Sequence, residues 1–91
     1  MLKLLVESRF KKDLKKLSRS GGYDFRELDY VINELLQGNI LSSKYKNHML
    51  TGNLKGYFDC HIKNNWILLY KITSTRLILI RTGTHAEVLG I

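Results

Sequence analysis

Three histidines and one arginine are the residues of this chain best suited to chemistry: His48, His61, His85 and Arg81. None of the histidines falls on the apolar stripe of a predicted helix. All three lie in loops or at the ends of strand-like stretches, where functional groups concentrate. The run "LILI" leads directly into "RTGTH". Arg81 and His85 are therefore expected as neighbours at one strand end, with Gly83 bending the turn between them. Arg81 is expected to point into an open site, and neither side chain to be needed for folding. His61 is expected to approach from the adjacent strand. Imidazoles and a guanidinium suit phosphodiester transfer on RNA, which carries its own nucleophile, the ribose 2′-OH. Cleavage needs a base for that proton, an acid for the leaving 5′-oxygen, and cations for the charge growing on the phosphate. Imidazole as a class titrates near neutrality and serves the first two needs. The planar fork of arginine takes two phosphate oxygens at once. Each residue taken singly also fits a solvated surface position; three histidines in such places are suggestive together.

The remaining composition excludes several other chemistries. Asp59 and Glu87 are the only acids after residue 34, and no His or Cys spacing matches a zinc site. No metal and no cofactor are expected. The same scarcity counts against a two-carboxylate glycosidase or a magnesium nuclease. Cys60 is the single cysteine, so no internal disulfide forms and a reducing cytoplasm is expected. The longest apolar run, "WILLY", is far too short to span a membrane, and the apolar part of the N-terminus is too short for a secretory signal. The net charge of +7 attracts polyanions, nucleic acid above all. A merely basic chain, or one covered by an acidic partner, fits that charge as well.

These groups need elements to position them. The 91 residues make one domain, 1–91, with a modest core. "LKLLV" reads as a strand. "SRFKKDLKKLSRS" reads as a helix capped by Ser8, with Phe10, Leu14 and Leu17 as its apolar stripe. Its six cations against Asp13 give it +5 of the net charge, a solvated face or a nucleic-acid surface. Asp24 caps a second helix, "FRELDYVINELLQ", and the two form a hairpin across Gly21 and Gly22. Residues 38–56 have no period and read as an ordered loop anchored by Ile40, Leu41, Tyr45, Met49 and Leu50. "YFDCHI", "WILLYKI" and "RLILIRT" read as three antiparallel strands joined at "KNN" and "TST". The expected fold is α/β in the α+β sense: a small antiparallel sheet packed on an N-terminal helical hairpin, in the order β-α-α-β-β-β. Trp66 opens the central strand, and core packing is at least part of its role.

The stretch "YKNHMLTGNLKGYFDCHIKNNWILLYKI", followed by "LILIRTGTHAEVLG", resembles the YafQ-type branch of the RelE/ParE toxin superfamily. The motif match covers residues 45 to 90; residues 1 to 37 match only in layout. The resemblance implies a RelE-like fold and the toxin of a toxin–antitoxin pair, a ribosome-dependent mRNA endonuclease working in the A site without a metal. It implies ribosomal RNA and message as partners, and a silencing antitoxin of the DinJ/RelB type. By position it makes His61 and His85 the acid/base pair, Arg81 the stabiliser of the phosphorane-like transition state, and His48 a substrate contact or proton-transfer aid. Lys55, Asn65, Trp66 and Leu89 fall at substrate-binding positions, with Lys55 and Tyr57 in the "KGY" of the pattern.

Three residues depart from that pattern. Phe58 stands where many relatives carry arginine, Asn65 where many carry aspartate, and Leu89 where phenylalanine is common. Asparagine keeps hydrogen bonding but cannot act as a base, and leucine packs on a base without stacking as a ring does. Two rivals remain open from the residues: a ParE-like toxin that inhibits gyrase by binding, and a non-enzymatic basic RNA-binding domain. The histidine and arginine set argues against a pure binder.

Overall fold

The computed structural model describes residues 1–90. Its elements are β1 (Lys3–Val6), α1 (Ser8–Ser20), α2 (Phe25–Leu36), β2 (His48–Met49), β3 (Phe58–Lys63), β4 (Trp66–Ile72), β5 (Arg76–Thr84) and α3 (His85–Leu89). Single 3-10 turns at Ser43–Tyr45 and Gly52–Leu54 shape the long segment before β3. The expected α+β class and element order hold. The sheet is larger than expected, with five strands in the order β1-β5-β4-β3-β2. Three of its four pairings are antiparallel, but β1 runs parallel to β5, with Lys3 opposite Arg76 and Val6 opposite Leu79. Two helices between β1 and the later strands provide the crossover that a parallel neighbour requires.

Capping differs between the helices. Asp24 caps α2 as expected, its side chain accepting from the Arg26 amide at 3.0 Å. Ser8 does not cap α1: it is the first helical residue, and Glu7 holds the cap position without a side-chain bond. The core-facing residues of α1 are Phe10, Asp13 and Leu17, while Leu14 is only half-buried. On α2 they are Leu28, Val31 and Leu35. These pack with Cys60, Ile62, Trp66, Leu68, Tyr70, Leu77 and Leu79 in one apolar cluster. In the segment 38–56, Leu41 and Tyr45 are buried anchors, but Ile40 and Met49 are exposed, at 96% and 55%.

Residues opposite one another in neighbouring strands share a face of the sheet. Trp66, Leu68 and Tyr70 of β4 face the helices, so Ile67 and Leu69 lie on the other side. That side also receives Asp59 and His61 of β3, and His48 opposite Asp59. Two bulges interrupt the alternation, one between His61 and Lys63 and one between Leu69 and Tyr70, where β5 carries Ile80 as an extra residue. The second bulge decides where Arg81 goes. Leu77 and Leu79 point into the core, and strict alternation would send residue 81 after them. The extra residue reverses the phase, placing Arg81 on the open face and Thr82 in the core.

Candidate active site

His61 and His85 meet. Their ring centroids are 4.8 Å apart, with the planes at 56°. His61 comes from β3 beside its bulge. His85 opens α3, which starts directly from the end of β5. The expected turn at "TGT" is instead the last part of a strand running to Thr84. Thr84 and Glu87 form a capping box: the Thr84 hydroxyl accepts from the Glu87 amide at 3.2 Å, and Glu87 Oε1 accepts from the Thr84 amide at 3.3 Å. Gly83, at φ 151°, lies where an added Cβ would come within 3.4 Å of Glu87 Oε1 and 3.5 Å of Val88. A glycine there lets α3 fold back tightly against the strand.

Asn65, in the β3–β4 turn, sets the state of His85. One atom of its side chain faces both the His85 amide nitrogen at 3.3 Å and the ring Nδ1 at 3.0 Å. A backbone N–H can only donate, so that atom is the carbonyl oxygen Oδ1. It therefore also accepts from Nδ1–H, and the neutral ring presents a bare Nε2. The Nδ1 of His61 lies 3.3 Å from the Asn64 carbonyl, which likewise draws the hydrogen to Nδ1. Asn65 thus holds the histidine in place.

Arg81 is far more engaged than a strand-end cation. Its Nε and Nη2 donate to the two oxygens of Asp13 at 3.0 Å each, and Nη1 donates to the Glu87 carbonyl at 2.9 Å. Hydrogen bonding to Asp13 is the main cause raising its pKa, so the guanidinium is held charged. Asp13 also accepts from the Thr82 amide at 3.1 Å. β1 ends opposite Leu79, so the next stretch of the β5 edge has no strand beside it, and this carboxylate serves the edge instead. The expectation that Arg81 is dispensable for folding is corrected: the side chain ties α1, β5 and α3 together. Three of its five N–H groups are used and two remain.

The other expected residues divide. His48 is exposed, with Nδ1 3.0 Å from the Lys46 carbonyl and 3.2 Å from Asp59 Oδ1. Both oxygens are acceptors and compete for one ring hydrogen, and Asp59 Oδ1 is buried beside the ring with no other partner. Trp66 is packed in the core, as expected for part of its role, and also borders one of the two open clefts beside the β3–β4 turn. It is 5% exposed, its indole N–H is spent on Thr82 Oγ1 at 2.8 Å, and Tyr23 and Phe25 pack edge-on against it. Lys55 is exposed beyond the second 3-10 turn, with no hydrogen bond to the histidines, and Leu89 is half-buried on α3. Phe58 stacks on Tyr70, at 5.5 Å between centroids, rather than facing the site. Two open clefts flank the β3–β4 turn: one is bordered by His61, Lys44 and Lys46, the other by Tyr23, Asn65 and Thr84, and both by Lys63 and Asn64.

Sequence reasoning missed Asp13 and Asp59. A signal for Asp13 existed: it lies three residues after Phe10 and four before Leu17, an acid on the apolar stripe of a helix otherwise studded with cations. Asp59 gave none beyond alternating with Cys60 in a strand.

Known proteins share this fold. The family described as "Bacterial toxin of type II toxin-antitoxin system, YafQ" matches residues 2–90. The mRNA interferase toxin YafQ of Escherichia coli K12 is 40% identical over 83 residues, covering 90% of this chain and 89% of that protein. A chain from the E. coli DinJ–YafQ complex superposes with a TM-score of 0.90 at 35% identity, covering 99% of this chain and 100% of its own. A copper-bound mutant toxin from Helicobacter pylori gives 0.92 at 38% identity, covering 97% and 99%. With the match running from the first strand to the end of α3, this chain belongs to the YafQ family of bacterial type II toxins.

Proposed function

We propose that this protein is the toxin of a type II toxin–antitoxin pair and an endoribonuclease that cuts mRNA on the ribosome, with the substrate 2′-OH as nucleophile. The observation that carries the reading is the contact between His61 and His85, each with Nδ1 occupied and Nε2 left for substrate. A bare Nε2 on one ring takes the 2′-hydroxyl proton. The other ring, as imidazolium, protonates the leaving 5′-oxygen. The bond from O2′ to phosphorus forms as the bond to O5′ breaks, leaving a 2′,3′-cyclic phosphate and a free 5′-hydroxyl. Arg81 offers its two remaining N–H groups to the equatorial phosphate oxygens. His48, with Asp59 behind it, assists from the neighbouring strand. Lys55 and Leu89 contact the message farther out.

No metal has a role in this scheme because the substrate supplies the nucleophile. Among the described residues no three His, Cys, Asp or Glu side chains gather closely enough to hold an ion. The exposed cations of α1 suit ribosomal RNA, whose phosphates they would neutralise. The silencing partner is an acidic antitoxin of the DinJ/RelB type. Location in the cytoplasm follows from those partners, and among the described residues no helix is long and apolar enough to cross a membrane.

Expression without a partner tests the reading. Growth should stop, with message cut inside coding regions, and an adjacent antitoxin gene should restore it. Arrest with intact message and altered DNA supercoiling would instead establish gyrase inhibition.

A further inference from the structure

We infer that Asp13 is a positioning residue for the reaction, acting through Arg81 by holding its guanidinium in the geometry that receives the phosphate. The inference rests on the endoribonuclease reading above. Asp13 is the only acid in α1, and its side chain is 10% exposed. Both oxygens engage Arg81 at 3.0 Å, through Nε and Nη2. That is the side-on fork, so the end of the guanidinium stays available. The Glu87 carbonyl takes a hydrogen of Nη1, fixing the rotation of the group from the opposite side. Three restraints from two helices leave a long side chain almost no rotational freedom. One N–H on each terminal nitrogen is unspent, enough for a two-point phosphate contact.

The backbone is held as well. Asp13 Oδ2 also accepts from the Thr82 amide, so the carboxylate is registered to the very strand that carries Arg81. One turn farther along α1, Lys16 pairs with Glu87, the residue whose carbonyl restrains Nη1. Residues 13 and 16 lie on one side of a helix. The same side of α1 therefore anchors both ends of the clamp. An ion pair carries little net charge, so Arg81 adds little long-range attraction for RNA, and the free lysines supply that. What the clamp contributes is direction: a donor pair already aimed when the phosphate arrives. Misplacement of a catalytic group by about 1 Å costs on the order of 100-fold in rate.

The test is a double-mutant cycle on the full chain in a ribosome cleavage assay. Asp13→Asn should lower kcat on the order of 100-fold while KM changes little. In an Arg81→Lys background the same change should have almost no further effect, because Asp13 acts through the arginine. Asp13→Glu should recover part of the lost rate. A second readout needs no activity: the Arg81 Nε–H resonance should be sharp and slow to exchange in the parent and lost in Asp13→Asn. Should Asp13→Asn fold poorly, Asp13→Glu with the same resonance takes its place. Additive losses in the cycle, or a folded Asp13→Asn protein that keeps the resonance and cuts at the parental rate, would overturn the inference. A parental protein that cuts no message would defeat the endoribonuclease reading instead, while the resonance still reports on the clamp.

Discussion

His85 and Arg81 both have a place in the proposed reaction, yet their substitutions should behave differently. The His85 ring is bonded only to Asn65, at the surface, so His85→Gln should leave the melting temperature nearly unchanged. Losing a proton-transfer group should still lower cleavage on the order of 100- to 10,000-fold. Arg81→Ala should also abolish cleavage, but it strands the buried carboxylate of Asp13 without its partner. Breaking such a pair costs more than a surface contact, roughly 2–3 kcal/mol here. For a domain of this size that is a fall in melting temperature of roughly 10 °C or more. Thermal melts beside growth assays separate the two cases. An Arg81→Ala protein as stable as its parent would show that the Asp13 pair contributes nothing to the fold. The departure at residue 65 acquires a physical meaning: an asparagine oxygen suffices to orient His85, though it stabilises an imidazolium less than a carboxylate would.

Among the elements, α3 is the most conditional. It has five residues, contributes no buried side chain, and depends on its capping box and on the pairing of Glu87 with Lys16. Hydrogen bonding from Lys16, then from Thr84, holds the Glu87 carboxyl below its ordinary value of 4.5. A carboxyl with a depressed folded pKa stabilises the fold above its unfolded pKa, and that contribution is lost as pH falls through the folded value. Exposure and screening keep the contribution small. Hydrogen exchange at the α3 amides should therefore speed up relative to the core strands as pH is lowered through the carboxylate range. Lys16→Ala should raise that exchange already at neutral pH and flatten the pH dependence. Unchanged relative exchange in the parent would mean that β5 alone holds α3. Bulges matter at this scale too: without Ile80 as an extra residue, Arg81 would point into the apolar core.

For the whole molecule, charge and burial point to different partners. The net +7 lies largely on α1, whose cations are exposed, while the candidate site residues lie on the open side of the sheet. An antitoxin that covers the basic helix should be acidic and should order a segment on binding. Its complex should weaken as salt rises, since screening acts on exposed pairs. Titration calorimetry at several salt concentrations checks this, and an affinity indifferent to salt would assign the complex to apolar contacts. Cys60 takes no part in such events. It is fully buried, and desolvation pushes its thiol up to about 12, which leaves it protonated and unreactive in the folded state.

The sequence by itself determined β1, α1, α2 and most of β3, β4 and β5, but not β2 or α3. Phe10 and Leu17 at helical spacing, Asp24 before an apolar period, and three β-rich runs separated by "KNN" and "TST" are local signals, and local propensity decides them. It also named the candidate site residues, because few side chains can move protons or bind phosphate at neutral pH, and the two motifs with the spacing between them are fairly specific where "RTGTH" alone is weak. Tertiary structure decided the rest. A short apolar stretch such as "LKLLV" carries no record of its neighbour, so the parallel pairing with β5 was not legible. Burial of Asp13 depends on an arginine 68 residues away, and a charge reads as exposed until its partner is in place. The phase reversal at the β4–β5 bulge cannot be counted from composition, yet it decides which side of the sheet Arg81 occupies. Trp66 was legible as at least partly core; the partners that hold it there, the Thr82 hydroxyl and two aromatic edges, were not.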